Sequence, residues 1–212
     1  MKIAVINEVS ACTRNQDILK ALAKQSDVTV LNVGMRDPGE DYPLTYIQTG
    51  IMSAILLNYQ ICDMAVGGCG TGQGYLNAVM QFPHVCCGLI QEPLDAWLFS
   101  QINGGNCISL ALNKGYGWAA NLNLEYIFEK LLQDPAGQGY PEARKESQGQ
   151  SRAILQKLSV DAHKTLPEIL QSIDDEILRT IAGRSEFMQT IAAAAGEEPE
   201  LQKIIEIISA KE

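Results

Sequence analysis

Five short apolar runs recur along residues 2–133, each followed by a segment of helical periodicity: Lys2 to Ile6, Val28 to Val33, Asp63 to Gly67, Val85 to Ile90 and Asn106 to Leu110. Runs this short, nearly continuous in apolar character, suit strands covered on both faces, and their alternation with helices specifies a parallel sheet between two helical layers. Right-handed crossovers then predict a three-layer α/β/α sandwich. Helices are expected near 14–25, 44–59, 74–81, 93–102 and 116–133, with Pro43 and Pro93 in first turns and Asp41 or Glu92 facing the free amides there.

After Asp134 the texture changes to DPAGQGYPEARKESQGQS, a connector without apolar periodicity, and residues 151–212 carry helical spacing only, as at Ile154, Leu155 and Leu158 or Ile177, Leu178 and Ile181. The expected organisation is an α/β domain over residues 1–150 and a helical extension over 151–212. The run Glu197-Glu198-Pro199-Glu200 reads as a solvated helix start.

With 46% hydrophobic and 19% charged residues among 212, the chain can bury a large core, and its net charge of -9 argues against a nucleic-acid surface or an anionic membrane as partner. No run approaches the length of a membrane span, and Asn7 and Glu8 interrupt the first apolar stretch before a signal-peptide core can form; a cytoplasmic protein is expected. Six cysteines without a CxxC pair, and only His84 and His163 to assist them, read as reduced, mostly buried thiols rather than a metal cluster. His84 is expected as a loop or core histidine and His163 as a solvent-facing one, and Trp97 and Phe99 in the core or a subunit contact.

The segment richest in chemistry is Gly67-Gly68-Cys69-Gly70-Thr71-Gly72-Gln73-Gly74, placed after a strand and before a helix. Five glycines in eight residues permit close backbone approach, and amides at a helix start converge into an anion hole. A dinucleotide fingerprint fails on spacing, since Gln73, Tyr75 and Asn77 stand where its last glycine belongs, and no Lys-Ser/Thr pair follows for a nucleotide loop. Cys69 inside the turn is either a small residue fitting a tight bend or a nucleophile or base whose thiolate the amides favour. Thr71 is either a turn hydroxyl or a participant beside it.

The CGTGQG run, the Asp41-Tyr42-Pro43 turn and the Asn103-Gly104-Gly105-Asn106 stretch resemble, in order and spacing over about residues 1–150, the ribose-5-phosphate isomerase type B and galactose-6-phosphate isomerase family. The resemblance implies a flavodoxin-like sheet of order 2-1-3-4-5, a homodimer with sites at the interface, and an aldose–ketose isomerase of a sugar phosphate that needs no metal or other cofactor. It makes Cys69 the base, with Thr71 and Asn103 catalytic and Glu8, Tyr42, Gly70, Gly72 and Gly74 around the substrate; Arg144 and Arg152 fall where family arginines grip phosphate. The family's Asp-His pair is Glu8-Val9 here, its ring-opening histidine is Ile102, and Asn113-Lys114 stands at its frequent arginine. These replacements leave open a phosphosugar-binding or regulatory protein as the alternative.

Overall fold

A computed structural model describes residues 1–196 and 198–211; Glu197 of the acidic run, and Glu212, lie outside the described residues. Five parallel strands, β1 (Lys2–Asn7), β2 (Thr29–Asn32), β3 (Met64–Cys69), β4 (Cys87–Ile90) and β5 (Cys107–Ala111), form one sheet. They alternate with α1 (Asn15–Leu22), α2 (Tyr46–Asn58), α3 (Gln73–Val79), α4 (Pro93–Leu98) and α5 (Ala120–Leu132). Side chains of β1 alternate as a strand requires: Ile3 and Val5 join the core with Ile18, Ile108 and Phe128, while Ala4 and Ile6 join Ile51, Ile55 and Val79 on the other face.

The strand order is 2-1-3-5-4, which corrects the expected 2-1-3-4-5. Here β5 lies between β3 and β4, pairing Cys69 with Ala111 and Cys87 with Cys107. Burial explains the exchange: four of the five β5 residues are buried, whereas β4 is half-buried for three of its four and suits an edge. The exits of β1, β3 and β5 are consequently neighbours, and this positions the site.

Helix α2 begins at Tyr46, with Thr45 as its cap in a capping box with Gln48, so Pro43 and Asp41 precede the helix rather than start it. Pro93 does occupy the first turn of α4, capped by Glu92. A π-helical turn, Phe99–Asn103, follows α4.

The helical tail starts within the expected connector. It comprises α6 (Lys145–Ala162), α7 (Leu166–Ser172), α8 (Asp175–Ala182), α9 (Ser185–Ala195) and α10 (Pro199–Ser209). Leu170, Leu178, Ile181, Phe187, Ile191 and Ile204 of α7 to α10 are buried in the same core as α2 and β1, so these helices extend the layer beside α2. Helix α6 buries none of its residues; Ile154, Leu155 and Leu158 are each more than half exposed. Among the described residues, no helix is long and apolar enough to cross a membrane.

Candidate active site

Cys69 ends β3 and is 7% exposed. The turn after it is held from several sides. Leu112 donates its amide to Cys69 O at 3.0 Å, the Asn113 and Lys114 amides donate to Gly70 O at 3.1 and 2.8 Å, and Ser109 Oγ donates to Gly72 O at 2.6 Å. Gly72 has φ of +78°, and a β-carbon there would lie 3.2 Å from the Leu110 carbonyl, so both conformation and space require glycine. Behind the turn, the buried Tyr75 ring lies flat against Gly67 while its hydroxyl meets Ser53 Oγ at 2.7 Å and Cys107 Sγ at 3.4 Å.

Thr71 is exposed and stands beside the thiol, with Oγ1 3.9 Å from Cys69 Sγ and accepting the Gln73 amide at 3.3 Å. The Gly72 amide turns back onto Cys69 O at 3.3 Å. The Gly70 and Thr71 amides have no protein acceptor among the described residues. The Gly74 amide is likewise without an acceptor among them, so three of the five amides over Gly70 to Gly74, with the Thr71 hydroxyl, are left for an anion near this thiol. A thiol base next to unspent amides suits proton abstraction beside a carbonyl, where negative charge develops on an oxygen.

Glu8, just past β1, is 4% exposed and accepts the Ser10 amide at 2.9 Å as well as the Ser10 hydroxyl. Asn113 Nδ2 donates to Ser10 O at 2.9 Å, which ties the β1 exit to the β5 exit next to Gly70. Tyr42 is half exposed with φ of +54° in the loop joining β2 to α2, and the Tyr46 ring covers Gly74. Glu8, Tyr42, Cys69, Gly70, Thr71, Gly72 and Gly74 thus share the carboxyl edge of the sheet.

Asn103, Arg144 and Arg152 do not join them. Asn103 precedes β5, whereas Cys69 pairs with its last residue, so the strand alone separates them by roughly 13 Å. Asn103 opens instead onto a groove of about 800 Å³ at the opposite edge, lined by His84, Ile102, Arg152, Leu155 and Leu158 among others. Arg152 donates Nη1 to Ile102 O and Nη2 to Gly137 O, both at 2.9 Å, and so ties α6 to the π-helical turn. Arg144 is exposed, with Nε on Ser147 Oγ at 3.2 Å. His84 has φ of +61° in its loop, His163 is half-buried with Nδ1 2.7 Å from Ser159 O, and Trp97 Nε1 donates to Asp134 at 3.0 Å.

The other thiols are structural. Burial pushes the Cys62 thiol up to about 12 and raises Cys12 and Cys86, and all six cysteines are free. Sequence reasoning passed over Ser10, Tyr46 and Arg184; the first two flank recognised motifs, while nothing near Arg184 announces its partners.

A parallel sheet whose glycine turn offers a thiol and free amides at its carboxyl edge is the frame of a sugar isomerase. The ribose/galactose isomerase family matches residues 3–135. The chain belongs to that family and is an aldose–ketose isomerase. No curated protein matches it. Among solved structures, a ribose-5-phosphate isomerase from Vibrio parahaemolyticus is 42% identical with a TM-score of 0.92, covering 98% of this chain and 99% of that one. A 4-deoxy-L-threo-5-hexosulose-uronate ketol-isomerase complexed with a tartrate is 39% identical with a TM-score of 0.88, covering 95% and 99%. A type B ribose 5-phosphate isomerase from Trypanosoma cruzi shares the fold at 15% identity and a TM-score of 0.64, covering 77% of this chain and all of that one.

Proposed function

We propose that the protein interconverts an aldose and a ketose by moving a proton between C1 and C2 of an open-chain, anionic sugar, with Cys69 as the base. The thiolate removes the proton at C2 of the aldose and returns it at C1. The enediolate oxygen formed between these steps takes hydrogen bonds from the Gly70 and Thr71 amides, and Thr71 Oγ1 orients the adjacent hydroxyl. The supporting observation is the thiol, hydroxyl and unspent amides on one turn.

The open-chain preference follows from Val9 and Ile102, neither of which can move the proton that opens a sugar ring. A 4-deoxy-5-hexosulose uronate has no hydroxyl at C4 or C5, so neither a furanose nor a pyranose of the usual kind closes onto C1 and masks the reacting aldehyde. This match between missing imidazoles and a substrate whose C1 aldehyde is not masked by the usual ring, together with the 39% identical ketol-isomerase, favours a deoxy keto-uronate as the substrate class. The second reading is a pentose or hexose phosphate, favoured by the 42% identical ribose-5-phosphate isomerase. In either case Lys114, exposed and anchored through its amide to Gly70 O, is a cation of the same chain at this edge. The reaction is proposed to run in the cytoplasm.

Because Asn103, Arg144 and Arg152 lie at the far edge, they reach a substrate at Cys69 only from a second copy. We therefore read the working unit as a homodimer in which one copy's groove edge completes the other's thiol site. The unburied apolar residues of α6 beside that groove fit such a contact.

The test is proton exchange. Incubated in deuterated water with a 4-deoxy-5-hexosulose uronate and a panel of pentose and hexose phosphates, the protein is expected to label C2 of the uronate at least about tenfold faster than any phosphate. Faster labelling of a phosphate would establish the second reading, and labelling of none would remove both substrate classes.

A further inference from the structure

The tail helices meet the loop joining β2 to α2 at the junction Gly183-Arg184 between α8 and α9, and again just beyond it, where Arg36 donates to Glu186 of α9. Arg184 is nearly buried, its side chain 10% exposed, and spends its fork on the loop that joins β2 to α2. Nη1 donates to Asp41 O at 3.0 Å, while Nη2 donates to Gly34 O at 3.3 Å and to the Glu40 carboxylate at 2.5 Å. Burial raises the Glu40 carboxyl, but Arg184 and the Arg36 and Asp37 amides outweigh it and hold its pKa below the ordinary range. Gly183 lies face to face with the Tyr42 ring, so closely that a β-carbon would overlap it.

The clamped loop in turn grips both sides of Glu8. Met35 donates its amide to Asn7 O at 2.9 Å, and Val9 donates to Leu44 O at 2.8 Å. A hydrogen-bonded path therefore runs from Arg184 through residues 34–44 to the backbone on either side of Glu8, and a packing contact runs from Gly183 to Tyr42.

We propose that Gly183-Arg184 is a positioning element of the catalytic site, through which the helical tail sets the Tyr42 ring and the Glu8 segment for substrate binding. This rests on the reading of Glu8 and Tyr42 as substrate-facing residues. A planar fork serves better than an ammonium here, because three acceptors on one loop must be held at once. Glycine at 183 is needed for a different reason: the aromatic ring occupies the space of any side chain.

The experiment compares full-length Arg184→Gln, Arg184→Lys and Gly183→Ala with Arg179→Gln. Arg179 also lies in the tail, but its side chain donates Nε to Lys211 O at 3.0 Å instead of to this loop. Two readouts are taken: hydrogen exchange at the Val9 and Met35 amides, and KM and kcat for the sugar that the wild type turns over. Arg184→Gln is expected to speed exchange at both amides and to raise KM about tenfold with a smaller change in kcat, Arg184→Lys recovering part of each. Gly183→Ala, which keeps the Arg184 bonds, should raise KM while leaving the Val9 and Met35 amides protected; Arg179→Gln should alter neither readout.

Unchanged amide exchange in Arg184→Gln overturns the proposal whatever the activity, as does an equal effect of Arg179→Gln. Faster exchange with unchanged KM in both Arg184→Gln and Gly183→Ala also overturns it, reducing the junction to a structural tie. A wild type that turns over no sugar removes the functional reading instead, and is recognised because the amide readout still answers.

Discussion

Cys69 and Asn103 stand at opposite edges of one parallel sheet, Cys69 beside the last residue of β5 and Asn103 before its first. If both serve one reaction, each site takes Cys69 from one copy and Asn103 from another. Cys69→Ala and Asn103→Ala should each be nearly inactive alone, yet an equal mixture, unfolded and refolded together, should regain about a quarter of wild-type activity, because half the dimers carry one intact site of two. A mixture no more active than two inactive components would show that the site is not shared between copies, and full activity of Asn103→Ala alone would show that Asn103 has no catalytic part.

Removing the thiol tests the chemistry directly. Cys69→Ala should lower turnover by at least about 10²-fold, the loss expected for a general base, while thermal unfolding and ligand affinity change little. The position is 7% exposed at a strand end, so the small void left should cost about 1 kcal/mol. Near-normal isomerisation by this variant would end the role assigned to Cys69.

The sheet was legible because buried parallel strands must be short apolar runs, and all five runs became strands. Their order was not. β4 and β5 are similar in length and composition, and either placement obeys the handedness of crossovers; burial alone separates edge from centre. The tail shows the same limit. Ile154, Leu155 and Leu158 have the helical spacing of Ile177, Leu178 and Ile181, yet the first three face outward and Leu178 and Ile181 are buried, because periodicity defines a face without naming what covers it. The glycine turn stood out through local composition. Arg184 could not, since its Glu40 partner lies 144 residues away and neither residue sits in a patterned segment.

The Tyr75 ring against Gly67 supports the turn from beneath. Gly67→Ala would force the ring off the strand and disturb its hydroxyl contacts with Ser53 and Cys107. A loss of about 1–3 kcal/mol is expected, seen as a fall of several degrees in the thermal midpoint. An unchanged midpoint would mean that the core absorbs the methyl without moving Tyr75.

Glu40 links stability to pH. Its carboxyl is depressed below the ordinary 4.5 in the folded chain, so its contribution is present above that value and is lost as pH falls through the lower, folded value. Glu40→Gln should therefore be less stable than wild type at neutral pH, by about 1 kcal/mol for a partly exposed pair, with the gap closing on acidification below about pH 4.5. A gap that stays constant to pH 3 would assign the effect to lost packing rather than to the charge.

The last prediction concerns ring opening. Ile102 is half-buried on the groove beside Asn103, and its carbonyl is held by Arg152, so its backbone stays fixed when the side chain changes. An isoleucine neither gives nor takes a proton; an imidazole, with an ordinary pKa of about 6.5, does both near neutral pH. Ile102→His should therefore raise turnover of ring-closed pentose and hexose phosphates relative to a substrate that cannot cyclise, and its gain should follow the titration of the new histidine. The competing source of the proton is His84, on the same groove. If the wild type already turns over cyclic sugars rapidly and Ile102→His leaves the ratio unchanged, while His84→Ala abolishes it, then ring opening belongs to His84 and the open-chain preference is lost.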